Sequence, residues 1–203
     1  MRVVYVIGLP GSGKTTMVER AVDLLAEHPV VIIDRGTVPH VRLDYWLWHI
    51  GRPRADFGGT DTLSMSIQPR AIRWLDEIRH ECDVLVGEGD RLANAAFFAA
   101  CPELTIVHLD VPLELARFRA NVRADQMKRP RQNESWWKGR ATKVANLVRT
   151  HRVETFDGTL PSYLLAEELA DVLAAGSDSS QAAKWRLLRA EGPRPPRTVR
   201  SAS

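Results

Sequence analysis

Cysteine is scarce in this chain. The two present, Cys82 and Cys101, stand in neither C-x-x-C nor metal-ligand spacing, so neither a disulfide framework nor a zinc site is expected. Long apolar runs are missing as well. Met1-Arg2 leads directly into a short strand-like run with no signal-peptide core, and no stretch approaches the roughly 20 apolar residues that span a membrane. The expectation is a soluble, cytoplasmic protein with reduced thiols. Acidic residues are nearly absent from one segment: residues 117–152 hold 11 Lys/Arg against 2 Asp/Glu, whereas residues 1–116 hold 11 against 16. The tail from Ser177 onward is basic too, with 6 against 2, so the net charge of +3 conceals two local positive fields suited to an anionic partner.

What is present begins at the N-terminus. Val3 to Ile7 is a β-branched, apolar run that reads as a buried strand, and Gly8-Leu9-Pro10-Gly11-Ser12-Gly13-Lys14-Thr15 then satisfies G-x-x-x-x-G-K-[ST]. In such a loop Gly8, Gly11, Ser12 and Gly13 turn backbone N–H groups onto a polyphosphate, and the helix that follows directs its positive dipole end at the same anion. Lys14 is expected at the β- and γ-phosphates, the Thr15 hydroxyl on Mg²⁺ and Thr16 at the α-phosphate. A nucleoside triphosphate and Mg²⁺ are thus the expected ligands.

Apolar runs recur at Val30–Ile33, Val84–Val86, "LTIVHLDVP" and "RVETF", alternating with helix-period segments. That alternation predicts a doubly wound α/β fold with a mostly parallel five-stranded sheet and helices on both faces. Residues 38–50 read as a helix carrying Tyr45, Trp46 and Trp48. One domain is expected over residues 1–175, with a basic lid at about 123–135. Residues 176–203 read as a Ser-rich linker with a helical turn or two around Trp185 and a flexible Pro/Arg tail.

In such sheets ligands sit beyond the carboxyl ends of the strands. Glu88 follows "VLVG" where an acid helps to hold Mg²⁺, with Asp90 the second candidate; either alternatively caps the next helix. Asp34, at the end of the second strand beside Arg35, is placed to take a proton from an attacking hydroxyl. A carboxylate there repels a phosphate-monoester acceptor, which favours a hydroxyl. Arg123, Arg129 and Arg131 fall in the lid segment, where an arginine can stabilise charge on a transferring phosphoryl group. Arg117 either contacts ATP or pairs with a neighbouring acid. Trp136, Arg140 and Lys143 form one stripe of a helix that could face a ligand, beside a packing face of Trp137, Ala141, Val144 and Val148.

"GLPGSGKTT", the acid after the second strand, "LDVPLELARFRANVR" and "DGTLP" together resemble the P-loop kinases of the adenylate-kinase-like and polynucleotide-kinase-like group. The resemblance covers residues 1–175 and implies ATP, Mg²⁺, transfer to a hydroxyl, and Asp157 near the adenine. "QNESWWKGRATKVANLV", with "DRG" and "GEGDR", is similar more narrowly to phage kinases that phosphorylate 5-hydroxymethyluracil within DNA. That likeness implies a DNA partner and, for a phage-encoded chain, the host cytoplasm. Trp46, Trp48 and Trp136 are then candidate base contacts and Arg35, Arg131 and Arg140 candidate acceptor contacts, although tryptophan is more often core than platform. A kinase of a free nucleoside, nucleotide or other metabolite, and a regulatory or remodelling ATPase, are the other readings of the same loop.

Overall fold

The computed structural model describes residues 1–26, 38–52, 59–175 and 177–190, and the backbone alone at 31–33. β1 (Arg2–Ile7) leads into α1 (Lys14–Leu25), then β2 (Val31–Ile33), β3 (His40–Arg42) and β4 (Leu47–Ile50). A 3₁₀ turn (Gly59–Thr62), α2 (Gln68–Glu77), β5 (Val84–Glu88), α3 (Ala95–Ala100) and β6 (Leu104–Asp110) follow. The remainder is α4 (Leu113–Gln126), α5 (Glu134–Thr150), β7 (Val153–Asp157), α6 (Ser162–Ala174) and α7 (Ser180–Ala190).

The sheet has seven strands in the order β2-β3-β4-β5-β1-β6-β7, not five. β4, β5, β1, β6 and β7 are parallel neighbours, and β3 runs antiparallel between β2 and β4. Alternation along β1 divides the apolar side chains between the two faces. Val4 and Val6 join a core with α1, α6 and α7, while Val3, Tyr5 and Ile7 join one with α2, α3 and Leu147 of α5. Both faces are therefore covered, as a parallel sheet requires. No helix among the described residues is long and apolar enough to cross a membrane.

The two additional strands replace the helix expected over residues 38–50. Pro39 and Gly51 bracket the segment, and the Gly51 N–H donates to the Pro39 carbonyl at 2.8 Å. The chain reverses at 43–46, where Leu43 N–H donates to Leu47 O at 3.1 Å. Across the hairpin Arg42 stands over the Trp48 ring at 4.1 Å, and His40 stacks on Trp48 at 4.9 Å. Such cross-strand pairs stabilise a short hairpin that backbone propensity alone does not hold.

Residues 177–190 also pack more closely than a linker. The Ser177 hydroxyl donates to Asp83 Oδ2 at 2.6 Å, Trp185 Nε1 donates to Asp171 Oδ1 at 2.9 Å, and Arg189 pairs with Glu167 and Asp171. α7 thus runs three turns against α6, where the sequence suggests one or two. The Pro/Arg tail from residue 191 lies outside the described residues.

Candidate active site

The site forms where β1 gives way to α1. Gly13, at φ 98°, caps α1 without a side chain, which leaves the first-turn N–H groups of the helix for an anion. Lys14 Nζ donates to Gly8 O at 3.0 Å, to Leu9 O at 2.8 Å and to Ser12 Oγ at 3.4 Å, so the ammonium is held across the mouth of its own loop. Burial pushes this ammonium below its ordinary pKa, opposed by the charges of Glu88 and Asp61. The loop packs directly on α4: a Cβ on Gly11 would lie 2.3 Å from Ala116 O, so this position excludes any side chain.

Glu88 closes β5 with 2 % exposure, and its Oε1 accepts from the Thr15 hydroxyl at 2.9 Å. Burial pushes the Glu88 carboxyl above its usual range, and the Lys14 charge and the Thr15 hydrogen bond pull it back. A hydroxyl and a carboxylate at this distance, beside the glycine-rich loop expected to bind phosphates, are hard oxygen donors of the kind Mg²⁺ takes. Asp90 is engaged differently. It pairs with Arg140 and with Lys143, the latter at 2.7 Å, and Lys143 also donates to the Asp90 carbonyl at 3.0 Å. Partial burial raises the Asp90 carboxyl, but the Lys143 hydrogen bond and charge and then Arg140 outweigh it, leaving its pKa below the ordinary value. The second Mg²⁺ candidate is therefore tied to α5.

A cavity of about 650 Å³ extends from the phosphate loop to α5. Gly8, Gly11, Gly13, Lys14, Thr15 and Thr16 form its floor, with Glu88 and Asp90 beside them. α4 contributes Asn121 and Arg123, the turn beyond it contributes Arg129 and Gln132, and α5 contributes Trp136, Arg140 and Lys143. Arg140 Cζ stands 5.2 Å from the Trp136 ring centroid, so a cation and an aromatic face share one wall.

The segment expected as a lid is the α4–α5 corner. Lys128 takes φ 54°, and the Arg129 N–H reaches back to Ala124 O at 2.8 Å, which ends α4 sharply. Arg131 closes the turn on Asp125 with bonds of 3.0 and 2.5 Å and does not line the cavity. Asn133 caps α5, accepting from Trp136 N–H at 2.9 Å. Arg117 pairs with Glu134 and stands 5.8 Å from the Trp137 ring, so the acid-pairing alternative is the one present and this residue ties α4 to α5. Arg119, one turn before Arg123 on α4, spans from Ser12 O to Gly158 O at 3.5 Å each. Beside it, Asp157 Oδ1 accepts from Thr159 N–H at 2.9 Å and from the Thr159 hydroxyl at 2.6 Å, which fixes the β7–α6 turn and lowers the Asp157 pKa.

Two expected acceptor contacts are corrected. Trp46 has 0 % exposure and Trp48 2 %, each in one of the two cores, because a hairpin replaces the helix that would have presented them. Trp46→Ala is accordingly expected to lower stability by about 3–5 kcal/mol, read as a reduced urea midpoint, and Trp46→Phe to leave ATP affinity unchanged. Unaltered stability with lost acceptor affinity would return Trp46 to the site. Asp34 and Arg35 lie outside the described residues. The sequence reading passed over Asp61, Met65 and Gln132, all in the cavity wall. Asp61 stands in "GGTD", where a double glycine signals a tight turn but not what the turn holds.

A family described as P-loop Nucleotide Kinase3 matches residues 1–167. Among solved structures, an unliganded sugar kinase from Janibacter sp. HTCC2649 superposes with TM-score 0.50 at 17% identity, covering 87% of this chain and 96% of that one. A deoxyadenosine kinase from M. mycoides with bound dATP gives TM-score 0.48 at 10% identity, covering 84% and 98%. Shikimate kinase from Acinetobacter baumannii in complex with shikimate gives 0.45 at 16% identity, covering 88% and 96%. No curated protein matches the chain. At these identities the structural likeness is one of fold.

Proposed function

The chain belongs to the P-loop nucleotide kinase family, and from that premise we propose that it transfers the γ-phosphoryl of ATP to a hydroxyl carried on DNA. The proposed acceptor is the 5-hydroxymethyl group of 5-hydroxymethyluracil, the substrate of the phage kinases that "QNESWWKGRATKVANLV" resembles. One observation carries this reading. The cavity that opens on Lys14 and Thr15 is also walled by Trp136, Arg140 and Lys143, an aromatic face beside two cations that share the single carboxylate of Asp90 and so keep a net positive charge. That chemistry suits a base out of its stack with its phosphate alongside. The net positive segment 117–152, which builds both lid helices, supplies phosphate neutralisation around it.

In this mechanism the phosphate loop and Lys14 hold the β- and γ-phosphates of ATP. Thr15 and Glu88 are the residues that would hold Mg²⁺, which supplies charge neutralisation on the phosphate oxygens when bound. Arg123 and Arg129 face the same space from the lid. The hydroxyl oxygen attacks the γ-phosphorus in line, the bond to the β,γ-bridging oxygen breaks, and ADP leaves. The sequence's candidate for the hydroxyl proton, Asp34, lies outside the described residues.

The test is γ-labelled ATP with a panel of acceptors: hydroxymethyluracil DNA, unmodified DNA with free 5′-hydroxyls, nucleosides, nucleoside monophosphates and small polyols. Label is expected in hydroxymethyluracil DNA and not in its unmodified counterpart. Label confined to a free nucleoside or metabolite would assign a small-molecule kinase instead, and ATP turnover without a labelled acceptor would assign an ATPase.

A further inference from the structure

Three carboxylates line the cavity among the described residues: Glu88, Asp90 and Asp61. Glu88 accepts from the Thr15 hydroxyl, and Asp90 is neutralised by Arg140 and Lys143. Asp61 has no ion pair among the described residues, and its Oδ1 accepts from the Asp90 N–H at 2.7 Å. An ionised carboxyl has about four acceptor sites, so one backbone donor leaves most of this capacity toward the cavity.

The turn that carries Asp61 is locked from beneath. Thr60 has 0 % exposure, and its hydroxyl donates to Glu88 O at 2.8 Å while lying 2.9 Å from the Tyr5 hydroxyl. Tyr5, buried in the middle of β1, donates onward to Gly89 O at 3.0 Å. The Thr62 hydroxyl donates to Gly59 O at 2.7 Å and accepts from Arg52 N–H at 2.9 Å. Two glycines let the turn lie flat on the end of β5. At Gly59, φ 57°, a Cβ would lie 2.5 Å from Glu88 Oε1; at Gly89, φ 107°, it would lie 2.9 Å from Asp61 Oδ1. Of residues 59–62 only Asp61 lines the cavity. A buried tyrosine hydroxyl, a buried threonine and two left-handed glycines therefore fix one carboxylate in space, which is how a group is held when its position matters.

Its surroundings match a role in proton transfer. Asp61 is electrostatically coupled to Lys14 of α1 and to Glu88 of β5, the groups that the kinase reading assigns to the phosphates and to Mg²⁺. Asp90 and Arg91 beyond β5, Arg123 of α4, Arg129 of the turn after it, and Arg140 and Lys143 of α5 are the other charged groups that line the same space. Asp61 lines the cavity together with Met65, whereas Asp157 and Thr159 do not.

We infer that Asp61 is the catalytic base of this kinase, accepting the proton of the acceptor hydroxyl as its oxygen bonds to the γ-phosphorus. The inference rests on the kinase reading of the site but not on the identity of the acceptor. The balance is complete: the new oxygen–phosphorus bond replaces the one to ADP, the proton passes to the Asp61 carboxylate and from there to solvent, and no further reactant is needed.

Asp61→Asn keeps an oxygen for the Asp90 N–H and loses the basicity. Transfer is expected to fall by about 10²- to 10⁴-fold, the usual contribution of a positioned base, with the thermal midpoint and the affinity for a fluorescent ATP analogue retained. The acid limb of the pH–rate profile should disappear, and added formate should restore part of the rate to Asp61→Ala, which a structural role would not produce. If Asp61→Asn melts early, Asp61→Ser keeps the acceptor oxygen and is read in its place. Asp34→Asn is measured alongside. An Asp61→Asn enzyme with near-normal transfer and an intact acid limb overturns the assignment, as does loss of that limb in Asp34→Asn alone. The wild-type acceptor panel separates the two proposals: label in a non-DNA hydroxyl removes the DNA reading and leaves Asp61 to be scored on that acceptor. A wild type that labels no hydroxyl removes both.

Discussion

Arg123→Ala is expected to lower single-turnover phosphoryl transfer by about 10³- to 10⁵-fold, the range attributed to an arginine that stabilises the transferring phosphoryl group. Arg123 lines the cavity from the last turn of α4 and is electrostatically coupled to Lys14, so the two cations converge on one place. Two positive charges brought together repel unless an anion lies between them. The arrangement is therefore most favourable when charge on the γ-phosphoryl oxygens is greatest, which is the condition for lowering a barrier and not merely for binding ATP. ATP affinity should change by far less than the rate. Arg123→Lys should recover only part of the loss, because a point charge on a flexible stem replaces a planar fork. Rapid-quench transfer and a fluorescence titration with nucleotide separate these effects. A near-wild-type single-turnover rate for Arg123→Ala would move the role to Arg129, the other lid arginine in the cavity wall.

The lid also shows how far the sequence was readable. Charge and spacing marked the α4–α5 corner, and the phosphate loop announced itself, because both depend on local pattern: glycines at fixed offsets, cations one turn apart. That Arg123 and Arg129 line the cavity while Arg117 and Arg131 do not is a tertiary matter. Asp125 reaches Arg131 across the turn, and Glu134 reaches Arg117 from the next helix. Neither pairing follows from the spacing of the arginines. Residues 38–50 went the other way. Apolar and aromatic residues there fit a helical period, yet the segment is a hairpin, because Pro39 and Gly51 bound a stretch whose stability comes from Trp48 against Arg42 and His40 and from β4 beside β5. Short apolar runs do not distinguish the two periods. Asp61 was illegible for a related reason. The locks on its turn, Tyr5 and Gly89, lie 56 and 28 residues away in the chain.

Glu88→Gln is expected to stabilise the protein while removing most of its activity. The carboxyl is almost fully buried, and burial raises its pKa above the ordinary value of 4.5. A folded-state pKa above the unfolded one means that the native state holds the proton more tightly. The contribution of Glu88 to stability is thus most favourable below about pH 4.5 and is lost as pH rises through the raised folded value. At neutral pH the ionised carboxylate is kept in place at a net expense, although Lys14 and the Thr15 hydroxyl offset part of it. Glutamine retains an oxygen for the Thr15 hydroxyl and carries no charge to desolvate, so the thermal midpoint should rise at pH 7 to 8 and converge with wild type at pH 4. Transfer should fall by roughly 10²- to 10³-fold, on the scale of losing one preorganised electrostatic partner, with half-saturation by Mg²⁺ moved to higher concentration. Glu88 is also the largest charge sustaining protonation of Lys14, so the variant should lose Lys14-dependent ATP affinity at a lower pH than wild type. A thermal midpoint that falls equally at pH 4 and pH 8 would show that Glu88 holds the fold through geometry alone, and its place as the acid beside Mg²⁺ would have to be surrendered.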